Sequence, residues 1–169
     1  ALTKGDVVLW GNLRELSSLL MGGPLTHASI YLGNKKFVEA VADGVQVAPL
    51  HHFFTEYDTM VILRVPRDTV DRKKKINTAI HHALKQVGKP YDFDFTGRTN
   101  KFFCTELVNY AFRKAKHNTQ LKTMGRFRKK EAAFKKMVHA SRALHPGQMA
   151  EEGNFDIVFL SHNLRVKEK

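Results

Sequence analysis

The sequence predicts an α+β fold, an antiparallel sheet or small barrel packed on helices. Three observations carry this. The first 65 residues hold short apolar runs cut by Gly, Pro and Asn, the pattern of hairpin-connected strands. Residues 70–115 hold two stripes of apolar side chains at helical spacing. A last short apolar run, Ile157–Leu160, follows a basic stretch. With 169 residues and 43% hydrophobic side chains, the chain has the apolar material for one core and is too rich in it for a disordered polypeptide. We expect a single domain over 1–169, its core at about 4–116, with a basic C-terminal segment 117–169 that ends in a strand.

Gly5-Asp6 opens Val7-Val8-Leu9-Trp10, a buried strand. Leucines at 13, 16, 19 and 20 suggest a short helix over Asn12–Leu20, stopped by Gly22-Gly23-Pro24. His27–Leu32 alternates in polarity, Gly33-Asn34-Lys35 is a turn, and Lys36–Val41 is the returning arm of a hairpin. Val45–Ala48 is a further strand, ended by Pro49, and Met60–Val65 is another, closed by Pro66. Over 70–87, Val70, Ile76, Ile80, Ala83, Leu84 and Val87 form one helical stripe, with Gly88 and Pro90 as stop signals. A polar loop, Tyr91–Asn100, leads to a second helix that starts near Phe103 or Cys104 and places Leu107, Val108, Ala111, Phe112 and Ala115 inward. Residues 121–145 read as basic and partly helical, and Asp156–Ser161 as a strand.

Lys and Arg number 28 against 16 Asp and Glu, a net charge of +12. The excess lies late in the chain: residues 113–169 carry 14 basic and 5 acidic side chains, whereas residues 1–56 carry 4 and 5. The cluster at 113–136 suits an anionic surface, either membrane or wall polymer. It lacks the interleaved stacking aromatics of a nucleic-acid module, which argues against that partner. No apolar run approaches the roughly 18 residues of a membrane-spanning helix. Ala1 in place of Met fits a removed leader, with export to an envelope or periplasm, and equally a trimmed chain from the cytoplasm.

Cys104 is the one cysteine, so an intramolecular disulfide and a Cys-rich metal site are both excluded. It falls at the first turn of a helix, where unpaired N–H groups and the helix dipole favour a thiolate. His27, at the start of a half-buried strand, is the candidate base. The remaining histidines show no metal-ligand spacing, and the pairs His51-His52 and His81-His82 read as surface residues. Glu39 is the candidate orienting acid, and the hairpin decides whether it reaches His27. A loop at 32–34 sets 27 opposite 39, and a loop at 33–35 sets 29 opposite 39 with His27 diagonal on the same face. A two-residue Gly33-Asn34 turn would place them on opposite faces. Tyr91, thirteen residues before the cysteine, is a weaker candidate as an oxyanion donor or pocket residue.

Several of these segments together resemble a known group. His27–Gly33, Val38-Glu39-Ala40, Gly44–Leu50, Gly88-x-Pro90-Tyr91 and Phe103-Cys104-Thr105-Glu106-Leu107-Val108 are similar to the motifs of the circularly permuted papain-like hydrolases of the NlpC/p60 superfamily, in its YiiX-like branch. The histidine precedes the cysteine, the order of the permuted members. The likeness covers about residues 4–116, and 145–160 more weakly. It implies a permuted papain-like (NlpC-type) fold and a thiol hydrolase that cleaves an amide or peptide bond. It implies Cys104 as nucleophile, His27 as base, Glu39 as orienting acid, an acyl-enzyme intermediate and no cofactor. An acyltransferase or lipid-acyl hydrolase at a membrane surface is the alternative within enzymes. A non-catalytic module that binds an amino acid or peptide is the alternative outside them. The segment between Gly11 and Thr26 is expected to wall the cleft and act as a flap.

Overall fold

The computed structural model describes residues 1–13, 24–94, 99–120, 146–151 and 153–161. Six strands, β1 (Val7–Gly11), β2 (Leu25–Gly33), β3 (Lys36–Val41), β4 (Gly44–Pro49), β5 (Thr59–Arg64) and β6 (Asp156–Leu160), form one open antiparallel sheet in the order β4-β3-β2-β1-β5-β6. The helices are α1 (Leu50–Glu56), α2 (Arg72–Leu84), α3 (Cys104–Lys114) and α4 (Pro146–Glu151). The molecule is therefore an α+β fold, and its sheet stays open instead of closing into a barrel. The expected helix at 12–20 and flap at 11–26 fall largely on residues 14–23, outside the described residues.

Alternation along each strand gives the sheet two apolar faces. Val7, Leu9, Ala28, Ile30, Val38, Ala40, Val61 and Leu63 pack against α2, α3 and Met149 of α4. On the other face, Val8, Trp10, Phe37, Ala48 and Ile62 pack around Phe53 of α1. Trp10 stacks on Phe53 at 4.6 Å between ring centres and donates its indole N–H to the Ser29 hydroxyl at 2.8 Å. A buried indole needs such a partner, and Ser29 supplies it.

Helix α1 is an element that the sequence reading missed, and its two histidines were read only as surface residues. It is seven residues long with one buried side chain, Phe53, so no apolar stripe repeats within it. The histidines are indeed at its outer side, with His52 Nε2 3.3 Å from Glu56 Oε1. The first long helix is also shorter than the pattern suggested. Val70 and Val87 lie outside α2 and are 77% and 46% exposed, and Leu84 at its last position is 40% exposed. Ile76, Ala79, Ile80 and Ala83 are the residues that it buries.

The β2–β3 hairpin fixes the site. Asn34 and Lys35 both have positive φ, 50° and 56°, and form a two-residue turn. Continued without irregularity, that turn would set Glu39 opposite Ile30, on the helix face. A bulge between Tyr31 and Gly33 absorbs one extra residue, and the register becomes Tyr31↔Phe37, Ile30↔Val38, Ser29↔Glu39. Glu39 is thus moved to the face that carries His27. This is the register expected of a loop at 33–35, reached by a tight turn plus a bulge.

Phe53 joins Trp10, Phe37, Tyr57 and His27 through ring contacts of 4.6 to 6.4 Å. Phe53→Ala is expected to lower the unfolding free energy by about 3 kcal/mol, as an aromatic deletion in a packed core does. A urea titration checks this through a lower midpoint at unchanged slope.

Candidate active site

His27 is the third residue of β2, opposite Trp10, and only 6% of its surface is exposed. Its ring lies parallel to Tyr57, 4° apart in plane and 5.8 Å between centres. His27 Nε2 is 2.7 Å from Glu39 Oε2, and Glu39 is 1% exposed. The second oxygen of the carboxylate accepts a hydrogen bond from Gln46 Nε2 at 3.0 Å. Gln46 stands opposite Glu39 in the β3–β4 pair. The sequence reading did not single it out. Its signal was available, because a hairpin over Ala42-Asp43 puts 46 across from 39.

Cys104 is the first residue of α3 and is 7% exposed. Helix α3 packs on the opposite face of the sheet from α1, so the thiol and imidazole meet at the end of the strands, where β2 begins and β3 finishes. His27 and Cys104 line the same cleft, and the Cys104 side chain is one of the neighbours that raise the imidazole pKa. Nε2 faces Glu39, which leaves Nδ1 for the sulfur. Burial pushes the imidazole toward its neutral form, but the hydrogen bonds to Cys104 and Glu39 and the charges of both outweigh it, and the His27 pKa rises to about 9. For Glu39, burial pushes upward, and the hydrogen bond and charge of His27 with the Gln46 amide win, so its carboxyl lies below its ordinary range.

Tyr91 reaches the site by a separate route. Its segment pairs with Phe102 through a parallel bridge, with Asp92 N–H donating to Phe102 O at 3.1 Å and Phe102 N–H to Pro90 O at 3.2 Å. This clamps Tyr91 beside the entry to α3. Burial first, and then the nearby Cys104 and Asp92, raise the phenol above its ordinary range, so it stays a proton donor. Asp92 itself is fully buried against Lys101 Nζ at 3.0 Å. Glu106, at the third position of α3, reaches back to the Phe103 N–H at 3.4 Å. Burial and the charge of Asp92 raise its pKa to about 8. At neutral pH it therefore adds little negative charge beside the thiol.

His27, Cys104, Tyr57, Tyr91, Phe93 and Val41 line a cleft of about 290 Å³. The four residues singled out from sequence, Cys104, His27, Glu39 and Tyr91, are therefore brought together, with three on the cleft wall and Glu39 behind His27. A thiol and an imidazole thus share one cleft wall, and a buried carboxylate holds the imidazole from behind.

This fold and order of residues correspond to a described family. The family model for the permuted papain-like amidase enzymes, YaeF/YiiX, C92 family, matches residues 1–159. The chain belongs to this family. A comparison with curated proteins finds no match. Among solved structures the chain is similar to the crystal structure of metalloprotein yiiX from Escherichia coli O157:H7, at 24% identity and a TM-score of 0.55. That likeness spans 67% of this chain and 66% of the other, just under two thirds of the relative, and it speaks to the fold. Among the described residues, no three His, Cys, Asp or Glu side chains gather as a metal site would require. Of the basic cluster at 113–136, residues 121–136 lie outside the described residues. Arg113 and Lys114 close α3, where positive charge complements the helix dipole.

The raised His27 value carries a sign. Stability from its charged form is present in full below about 6.5, the ordinary value, and is lost as pH rises through about 9. Nitrogen NMR of the imidazole is expected to give a midpoint near 9, and the unfolding free energy should fall between those two pH values. A midpoint near 6.5 would contradict the contacts described.

Proposed function

We propose that this amidase-family chain cleaves an amide or peptide bond with Cys104 as nucleophile, His27 as general base and acid, and Glu39 as the carboxylate that orients the imidazole. The supporting observation is the 2.7 Å contact between His27 and the buried Glu39 carboxylate, beside the cleft that His27 and Cys104 line together. In this reading His27 takes the thiol proton and holds it as an imidazolium. The sulfur attacks the carbonyl carbon, and the oxygen gathers the negative charge. In the same reading the Cys104 backbone N–H, at the first position of α3, and the Tyr91 hydroxyl, on the cleft wall, donate to that charge. His27 returns its proton to the amine, the C–N bond breaks, and a thioester remains on Cys104. A water molecule gives a proton to His27 and attacks the thioester, which frees the acid and restores the thiol.

Each residue has a distinct expected cost. With a panel of fluorogenic peptide amides, Cys104→Ala should abolish turnover, and His27→Ala should lower kcat by roughly a thousandfold or more. Glu39→Gln should cost less than His27→Ala, because the amide keeps part of the orienting contact. Turnover that survives in Cys104→Ala overturns the nucleophile assignment, and a Glu39→Gln loss equal to that of His27→Ala overturns the ranking.

A further inference from the structure

Among the described residues, two hydrogen bonds hold the Glu39 carboxylate, and one of them points at the imidazole. The other comes from Gln46, across the β3–β4 pair. Strand β4 is itself held from its far side: Val45 N–H donates to Lys89 O at 2.8 Å, and Gly88 N–H donates to Val45 O at 2.8 Å. Gly44 permits this, since its φ is +110° and a Cβ there would stand 2.5 Å from Lys89 O. The amide of Gln46 is therefore presented from a fixed backbone. A carboxylate with one oxygen on a histidine and the other without a donor is free to rotate or to take up a proton. With Gln46 in place, its plane is set from both ends.

We propose that Gln46 is a positioning residue for Glu39, fixing the carboxylate in the orientation that meets His27 and setting the acid limit of the site. This rests on the reading of Cys104, His27 and Glu39 as one reactive chain. The titratable groups that face Glu39 are His27 on β2 and His52 on α1. His52 is 41% exposed and therefore screened, so the side-chain donor that holds Glu39 besides the imidazole is the half-buried Gln46. As the pH drops, protonation of Glu39 takes the acceptor from the imidazolium, and the sulfur loses its partner. Loss of the Gln46 donor moves that event to higher pH.

The test uses Gln46→Met, close in volume and without a donor, and Gln46→Asn, which keeps the amide one methylene short of Glu39. Two readouts are taken on the full chain: carboxyl-carbon NMR of Glu39, and the pH profile of iodoacetamide alkylation, which reports on Cys104 as the one thiol. In both variants the Glu39 midpoint should rise and the acid edge of alkylation should rise with it, slowing alkylation about tenfold at that edge. Glu39 midpoints and acid edges at the wild-type positions, even with lower melting temperatures, overturn the proposal and leave Gln46 a structural residue. The NMR readout needs no turnover. A chain that hydrolyses no amide but shows the Glu39 shift would sink the proposed function and keep this inference.

Discussion

A carboxylate with about one hundredth of its surface exposed is stable only if hydrogen bonds and an opposite charge replace its water. In this protein the contact between Glu39 and His27 does both, at 2.7 Å, and most of the surrounding structure makes that contact possible. The bulge in β2 puts the two side chains on one face. The Trp10–Phe53–Tyr57 stack closes that face over the imidazole. The imidazolium that results has a sulfur on its other side. Removing one member of such a buried pair leaves an unpaired charge, which is why the pair and not either residue alone is the unit of the site.

The sheet also explains why a histidine early in the chain and a cysteine much later become neighbours. Helix α3 lies on one face and α1 on the other, and Cys104 and His27 come together in the cleft that both line. The loop that carries Tyr91 is tied to Phe102 by backbone pairing, so its position depends on the residue just ahead of Phe103 and Cys104. Tyr91 and Cys104 thus share one small piece of framework. Precision of this kind comes from backbone hydrogen bonds, not from side-chain packing on a mobile surface.

The strands and the two longer helices were legible because their apolar residues recur with period 2 or 3.6 over enough positions to declare themselves. Cys104 at the head of its helix was legible for the same reason, since Leu107, Val108, Ala111 and Phe112 define the stripe behind it. Helix α1 was not, because a seven-residue helix that buries a single Phe53 has no period to read. The His27–Glu39 contact was legible only as a set of registers. The outcome turned on a bulge that one side-chain pattern does not encode, since Gly33 suits the turn and the bulge equally. Gln46 followed from pairing arithmetic but carried no chemical signal of its own, as an amide opposite a carboxylate is ordinary on a sheet. The raised pKa of Glu106 depends on burial beside Asp92, a contact between distant segments that no local pattern predicts.

The measurement closest to the central claim is the ultraviolet absorbance of the thiolate, followed against pH in the native chain and in His27→Ala. With a single cysteine, the signal belongs to Cys104 alone. The account predicts that removing the imidazole lowers the thiolate signal at neutral pH, because ring and sulfur share a proton. Superimposable curves for the two proteins would mean that sulfur and ring do not share a proton, and the reactive chain from Cys104 to Glu39 would not exist.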